Sequence, residues 1–239
     1  MVKKSSIKKS KVENLESRGY VDDNFDYTRP YDILELEMML KSVNAVKRTQ
    51  AALVIGYNRL SEMVPNLIIS LQKETKLYSK IAICNALYVI GDASIDPLLD
   101  NLGLIGNNQY NELPDKAFGK GGYPLPRDIV ARTLVRMGEK ALIKTVNSSD
   151  NKPRGWLLEA VDVMGHISFY NQSTIASGKL LELYYENIND LLLRWKLIRA
   201  FSAFELDEIL AILQKEVEES RVPAIKWEAE RSLRMIGDE

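Results

Sequence analysis

The sequence predicts an all-α fold, a right-handed α-solenoid of about six helical hairpins. Three observations carry this: a phrase that recurs along the chain, a helical stripe of apolar residues inside each copy, and a glycine that closes most copies. The phrases are "ALVIGYN", "LYVIGDA", "LVRMGEKAL", "VDVMGHIS" and "LRMIGDE". Aligned on their closing residue, the anchors are Gly56, Gly91, Gly138, Gly165, Ser202 and Gly237, spaced by 35, 47, 27, 37 and 35 residues. That period is the one expected of stacked helical hairpins.

Each copy is then justified by its pattern. One residue before the anchor stand Ile55, Ile90, Met137, Met164, Phe201 and Ile236; four before it stand Ala52, Leu87, Leu134, Val161, Ile198 and Leu233. The position five before is mostly small, with Ala51, Ala86, Thr133, Ala160, Leu197 and Ser232. Offsets of one, four and five share one face of an α-helix, so each phrase is the C-terminal half of an amphipathic helix. The glycine reads as a helix C-cap, since it enters left-handed conformations at no steric cost. Second helices are predicted at "YDILELEMMLKSV", "LSEMVPNLIISLQ", "ASIDPLLDNL", "EKALIKTV", "TIASGKLLELYYENI" and "LDEILAILQKEV". A lone hairpin cannot cover its apolar face, so neighbours must stack.

Composition bounds the class. Of 239 residues, 46% are apolar and 27% charged, with a net charge of −1, an ordinary balance that indicates neither disorder nor a membrane protein. No apolar run is long enough to span a bilayer, and no secretory signal follows the basic start. One cysteine, Cys84, cannot form an internal disulfide and reads as a small buried hydrophobe, so a cytoplasmic location fits. Residues 1–12 carry five lysines and no acid, whereas 13–40 carry eight acids and two arginines. Residues 1–30 therefore form a basic, then acidic, partly flexible N-terminal tail. Residues 31–239 form the repeat array, with an inserted loop at about 101–126.

The phrases "SKIAICNALYVIGDASIDPLLDNL" and "IKWEAERSLRMIGDE" resemble HEAT-like repeats of the phycobilisome-lyase type. The basic residue of that pattern stands eleven before the anchor as Lys80, Arg127, Arg154 and Lys226, with Ala45 and Leu191 in its place elsewhere. These four are expected to bridge repeats to loop carboxylates such as Asp92. The Gly-Asp pair survives at Asp92 and Asp238, and Ser202 marks the most degenerate copy. The resemblance implies that the helix before each glycine lines a concave binding face; it is silent on activity.

Six before the anchor stand Gln50, Asn85, Arg132, Glu159, Lys196 and Arg231, polar in every copy, which predicts a water-facing column. Beside it lie Lys47, Asp128, Arg136, Trp156, Trp227 and Glu228, a mixed surface whose tryptophans and basic residues suit anchoring an extended or acidic protein partner. Two readings stand for Trp156 and Trp227, interface anchor or gap filler between repeats, while Trp195 belongs to the core. Two stand also for the loop, which holds five glycines and three prolines: a flap carrying Tyr110, Phe118 and Tyr123 beside the groove, or a tolerated insertion.

Catalytic signals are sparse. "GKGG" lacks the spacing of a phosphate-binding loop. The single histidine, His166, reads as lining a turn, and it is too few for the His-Glu pairs on which the HEAT-like deoxyhypusine hydroxylases rely. No metal and no cofactor is called for. The expected function is a non-enzymatic protein-binding adaptor or scaffold whose partner is another protein. The alternatives are a nucleic-acid binder using Arg132, Arg136, Lys196 and Arg231, or an accessory subunit of a lyase.

Overall fold

The structure, a computed structural model, describes residues 13–22, 24–119 and 121–237. The lysines of residues 1–12, Lys120 and Asp238 lie outside these. Every regular element among the described residues is helical, and successive helices pair into HEAT-like hairpins, as the sequence predicts. The chain divides into two compact units, Met1–Leu98 and Leu99–Glu239.

The first unit holds α1 (Ile33–Leu40), α2 (Ala45–Tyr57), α3 (Val64–Lys73) and α4 (Leu77–Ile90). Asp32 and Asn44 start the first two, each side chain accepting from the backbone N–H two residues on, which satisfies a donor that the helix itself leaves orphaned. The apolar stripes meet in a core that includes Leu36, Ala52, Ile55, Leu67, Leu71, Ile83 and Leu87. Between α2 and α4 the backbones nearly touch. A Cβ on Gly56 would stand 2.9 Å from Ala86 Cα, so glycine is needed there for close approach. Segment 13–31 lies on this unit, with Tyr20 edge-on to Tyr78 and Tyr27 against Tyr57.

A partly buried ion pair lies in the same unit. Glu74 accepts from Arg48 Nε at 2.7 Å and Nη2 at 2.9 Å, and from the backbone N–H groups of Thr75 and Lys76. Burial alone would raise the Glu74 carboxyl, but Arg48 and the two backbone donors outweigh it and hold it below the ordinary value.

The helix α5 (Ile95–Leu99) spans the boundary, and an irregular segment follows it. The second unit then holds α6 (Ile129–Leu134), α7 (Glu139–Asn147), α8 (Arg154–Asn171), α9 (Ser177–Glu186), α10 (Leu191–Ala200), α11 (Asp207–Glu219) and α12 (Pro223–Gly237). Contacts run from α6 to α8, α8 to α10 and α10 to α12, while α7, α9 and α11 back them, so the helices that carry the recurring phrase form one layer. Asp128 caps α6 and Asp190 caps α10; Asp190 also pairs with Arg154. The bridge expected of Arg154 thus ends on a helix cap of the next repeat, not on Asp92.

The closing glycines divide into two kinds, which corrects the uniform C-cap expectation. Gly91 and Gly138 have φ of +85° and +67° and do end their helices. Gly56 and Gly165 are helical, and the helix runs on past them. At Gly165 an added Cβ would collide with the Tyr123 hydroxyl and stand 2.9 Å from Ala200 Cβ. His166 consequently sits within α8 and not in a turn, beside the Tyr123 and Tyr170 rings.

Candidate functional site

Three adjacent helices of the second unit each contribute a charged pair three residues apart. These are Glu159 and Asp162 on α8, Lys196 and Arg199 on α10, and Glu228 and Arg231 on α12. All six side chains are buried; Lys196 is 0% and Glu159 1% exposed. Residues three apart share a helix face, so each pair points the same way. Opposite signs on neighbouring helices then meet.

Lys196 Nζ donates at 2.9 Å to Leu158 O, at 2.9 Å to Glu159 Oε1 and at 3.0 Å to Asp162 Oδ2. Its three protons are thereby all used. Glu228 accepts from Arg199 Nη2 at 3.3 Å and from Arg231 Nη1 at 2.5 Å. Arg231 Nη2 reaches the loop, donating to Gly122 O at 2.5 Å.

The electrostatics follow from one ammonium serving two carboxylates. Burial pushes the Glu159 carboxyl up to about 7, the Asp162 carboxylate adding to that effect and Lys196 opposing it. For Lys196 burial acts downward, but Asp162 and Glu159 outweigh it and the ammonium is held above its ordinary value. Lys196 therefore stays charged, and Glu159 gives up its proton only near neutrality. Burial, reinforced by Asp162, pushes the Tyr123 phenol well up. Burial lowers His166.

The irregular segment covers this network with rings. Tyr110 stands edge-on to Trp195 at 5.0 Å, with the Arg127 guanidinium 4.5 Å from its centre. Phe118 lies 5.0 Å from Arg231 and 5.7 Å from Arg199, and Arg199 lies 4.0 Å over Trp195. Gln109 Nε2 donates to Asp128 Oδ2 at 2.7 Å, and Tyr170 O–H donates to Tyr123 O at 2.9 Å. Four buried atoms of the network and of the segment itself have no hydrogen-bond partner: Glu159 Oε2, Asp162 Oδ1, Arg199 Nε and Tyr123 Oη.

The predicted water-facing column is corrected in consequence. Glu159, Lys196 and Arg231 are packed inward and paired. Arg132 is half-buried and donates to Pro126 O, and Arg136 is exposed. Gln50 and Asn85 are half-buried and belong to the other unit. Trp156 is buried, its Nε1 donating at 2.7 Å to Leu99 O, which favours gap filling over anchoring; Trp227 is half-buried. Tyr123 is buried, whereas Tyr110 and Phe118 are half-buried. Trp195 is core, as expected, and Cys84 is buried.

Asp162 and Arg199 went unselected in the sequence, yet a signal was there. Glu159 and Lys196 share one offset from the anchor, and Asp162 and Arg199 share another. Opposite charges at one offset in consecutive repeats are the mark of an internal ladder. Among the described residues, no group of three or more His, Cys, Asp or Glu side chains is placed to hold a metal ion, and no helix is long and apolar enough to cross a membrane.

No family model matches the chain, and no curated protein does. Among solved structures it is similar to human deoxyhypusine hydroxylase in complex with glycerol, at 15% identity over 98% of this chain and 99% of that one, with a TM-score of 0.38. A likeness so distant transfers neither residues nor activity. The expectation of a non-enzymatic protein-binding adaptor is nevertheless corrected. The column meant to grip a partner is buried at Glu159, Lys196 and Arg231 and half-buried at Gln50, Asn85 and Arg132. The nucleic-acid alternative loses Lys196 and Arg231 to internal ion pairs.

Proposed function

We propose that the second unit binds a small polar molecule beneath the 101–126 segment, and that Glu159 is the group able to exchange a proton with it. The observation that carries this reading is the buried six-charge network with four unpartnered polar atoms. Stability does not account for it, because well-packed apolar side chains would hold the same helices together at least as well. Groups with displaced pKa values gather at functional sites, and an acid near neutrality is suited to general acid–base work. Long irregular segments over such groups serve as covers that open.

The phrase Ile90-Gly91-Asp92 supports grouping the repeats with the phycobilisome-lyase type. Cys84, a lone buried thiol, suits a reducing cytoplasm.

The test is a thermal-shift screen of small polar molecules on the full chain, repeated on Asp162→Asn. A stabilisation seen in the wild type and lost in the variant supports the site. No stabilisation by any molecule, together with amides of 105–119 that exchange only on global unfolding, would sink it.

A further inference from the structure

The rings over the network belong to the irregular segment, not to the helices that build the site. Tyr110 and Phe118 are half-buried, and each lies on cations supplied by the helical layer. Trp195 and Arg199 form the fixed floor beneath them, both almost fully buried. A floor of one indole and several cations attracts a planar ring by its π-face and edge, whichever molecule supplies the ring. The segment fills that demand for rings and leaves the polar demand beneath it unmet.

The unmet demand has a definite chemistry. Glu159 Oε2 and Asp162 Oδ1 are acceptors that lack donors. Arg199 Nε and the Tyr123 hydroxyl are donors that lack acceptors. Each of these four residues is more than nine-tenths buried, so bulk water does not satisfy them. Tyr123 lies in the fields of Asp162, Arg199, Glu228 and Arg231, and Glu159 lies in that of Asp162, which links the orphaned donors and acceptors. The buried charges are of both signs: Asp128, Glu159, Asp162 and Glu228 against Lys196, Arg199 and Arg231. Orphaned acceptors beside orphaned donors in a buried site are met together by a ligand carrying both signs.

We infer that the site beneath the 101–126 segment takes a free aromatic α-amino acid, and that Tyr110 and Phe118 are tethered stand-ins for its ring. The ammonium meets Glu159 Oε2 and Asp162 Oδ1. The carboxylate accepts from Arg199 Nε and from the Tyr123 hydroxyl. The ring takes the place of Tyr110 or Phe118 over Trp195 and the guanidinium of Arg199. This inference rests on the proposed function above and names its ligand class.

Because the stand-ins compete with the ligand, removing them raises the fraction of sites ready to bind. The experiment is calorimetric titration of L-phenylalanine and L-tyrosine into the full chain and into Tyr110→Ala/Phe118→Ala, with circular dichroism as a fold check. The double variant is expected to bind about tenfold more tightly than the wild type. Phenylpropionate, without the ammonium, and phenethylamine, without the carboxylate, are each expected to bind at least about tenfold more weakly, since each leaves buried polar atoms unpaired. Should the double variant fail to fold, Phe118→Leu carries the same test with a smaller change.

Binding of either truncated probe as tight as that of the amino acids, or no binding of either amino acid to any of these proteins, overturns the ligand assignment. The two proposals fail separately. If the 105–119 amides exchange through local opening while neither amino acid binds, only the ligand class falls. If those amides open only with global unfolding, the covered site falls as well.

Discussion

Lys196 Nζ lies 2.9 Å from Glu159 Oε1, and neither group touches solvent. Two helices of successive repeats are thus joined by a charge pair inside the protein, where attraction is strong and desolvation costly. Replacing Lys196 with methionine leaves Glu159 and Asp162 without their cation. The expected loss is about 3 to 5 kcal/mol, as for other broken buried pairs. Adding Glu159→Gln to Lys196→Met should recover part of it, because one uncompensated carboxylate disappears. Urea unfolding of the two single variants and the double variant measures this coupling; strictly additive losses would mean the pair does not interact energetically.

Glu159 also makes stability depend on pH. Its folded-state value is raised from 4.5 to about 7, so between these values the folded chain holds a proton that the unfolded chain has released. Stability contributed by this group is therefore present below pH 4.5 and lost as pH rises through 7. The loss is on the order of 2–3 kcal/mol over that window. His166 acts in the opposite sense, since burial lowers its value and raising pH to 6.5 relieves the cost. The difference between wild type and Glu159→Gln removes the His166 contribution. That difference should slope downward from pH 4.5 to 7, and a flat difference would rule out the assignment.

The hairpins were legible because their signal is local. The stripe at one, four and five before each anchor is fixed by helix geometry, and Ile55, Leu87, Leu134, Val161 and Ile198 are all buried. The site was not legible in the same way. A polar column beside an apolar stripe looks water-facing when read one helix at a time, and Gln50 and Asn85 do remain half-buried. Glu159, Lys196 and Arg231 differ because a neighbouring helix supplies the opposite charge and residues 101–126 cover them. Both facts are tertiary. The glycines were half legible: a helix end and a close helix contact select the same residue, and only the backbone at Gly91 against that at Gly56 tells them apart.

Gly56→Ala separates those two roles. On a free helix the change would stabilise by about 1 kcal/mol through propensity. Here the new methyl meets Ala86 Cα at 2.9 Å, backbone that cannot rotate away. Overpacking of this kind costs about 1 to 3 kcal/mol, so the net effect is destabilising. Gly91→Ala meets no atom within 4 Å but must hold φ at +85°, and should cost about 1 to 2 kcal/mol through strain alone. Because the clash is with the Ala86 backbone, Ala86→Gly, which removes only the Cβ at 3.2 Å, should not restore Gly56→Ala, and it should leave Gly91→Ala unchanged. Melting temperatures of the five proteins, wild type included, decide it.

The 101–126 segment is held at its C-terminal end by three donors. Arg231 Nη2 reaches Gly122 O, the Tyr170 hydroxyl reaches Tyr123 O and Arg132 Nε reaches Pro126 O, while Gln109 is tied to Asp128 and Ile105 O. Arg231 is also paired with Glu228, so changing it disturbs the buried network. Tyr170→Phe removes one tether alone, since the Tyr170 ring keeps its contacts with His166 and Phe169. A neutral hydrogen bond contributes about 1 kcal/mol, a factor of roughly five in an opening equilibrium. Amides of 111–119 should therefore exchange several-fold faster in Tyr170→Phe, with those of α8 and α10 unchanged. If α8 and α10 accelerate to the same extent, the segment does not open by itself but moves only with the helices beneath it.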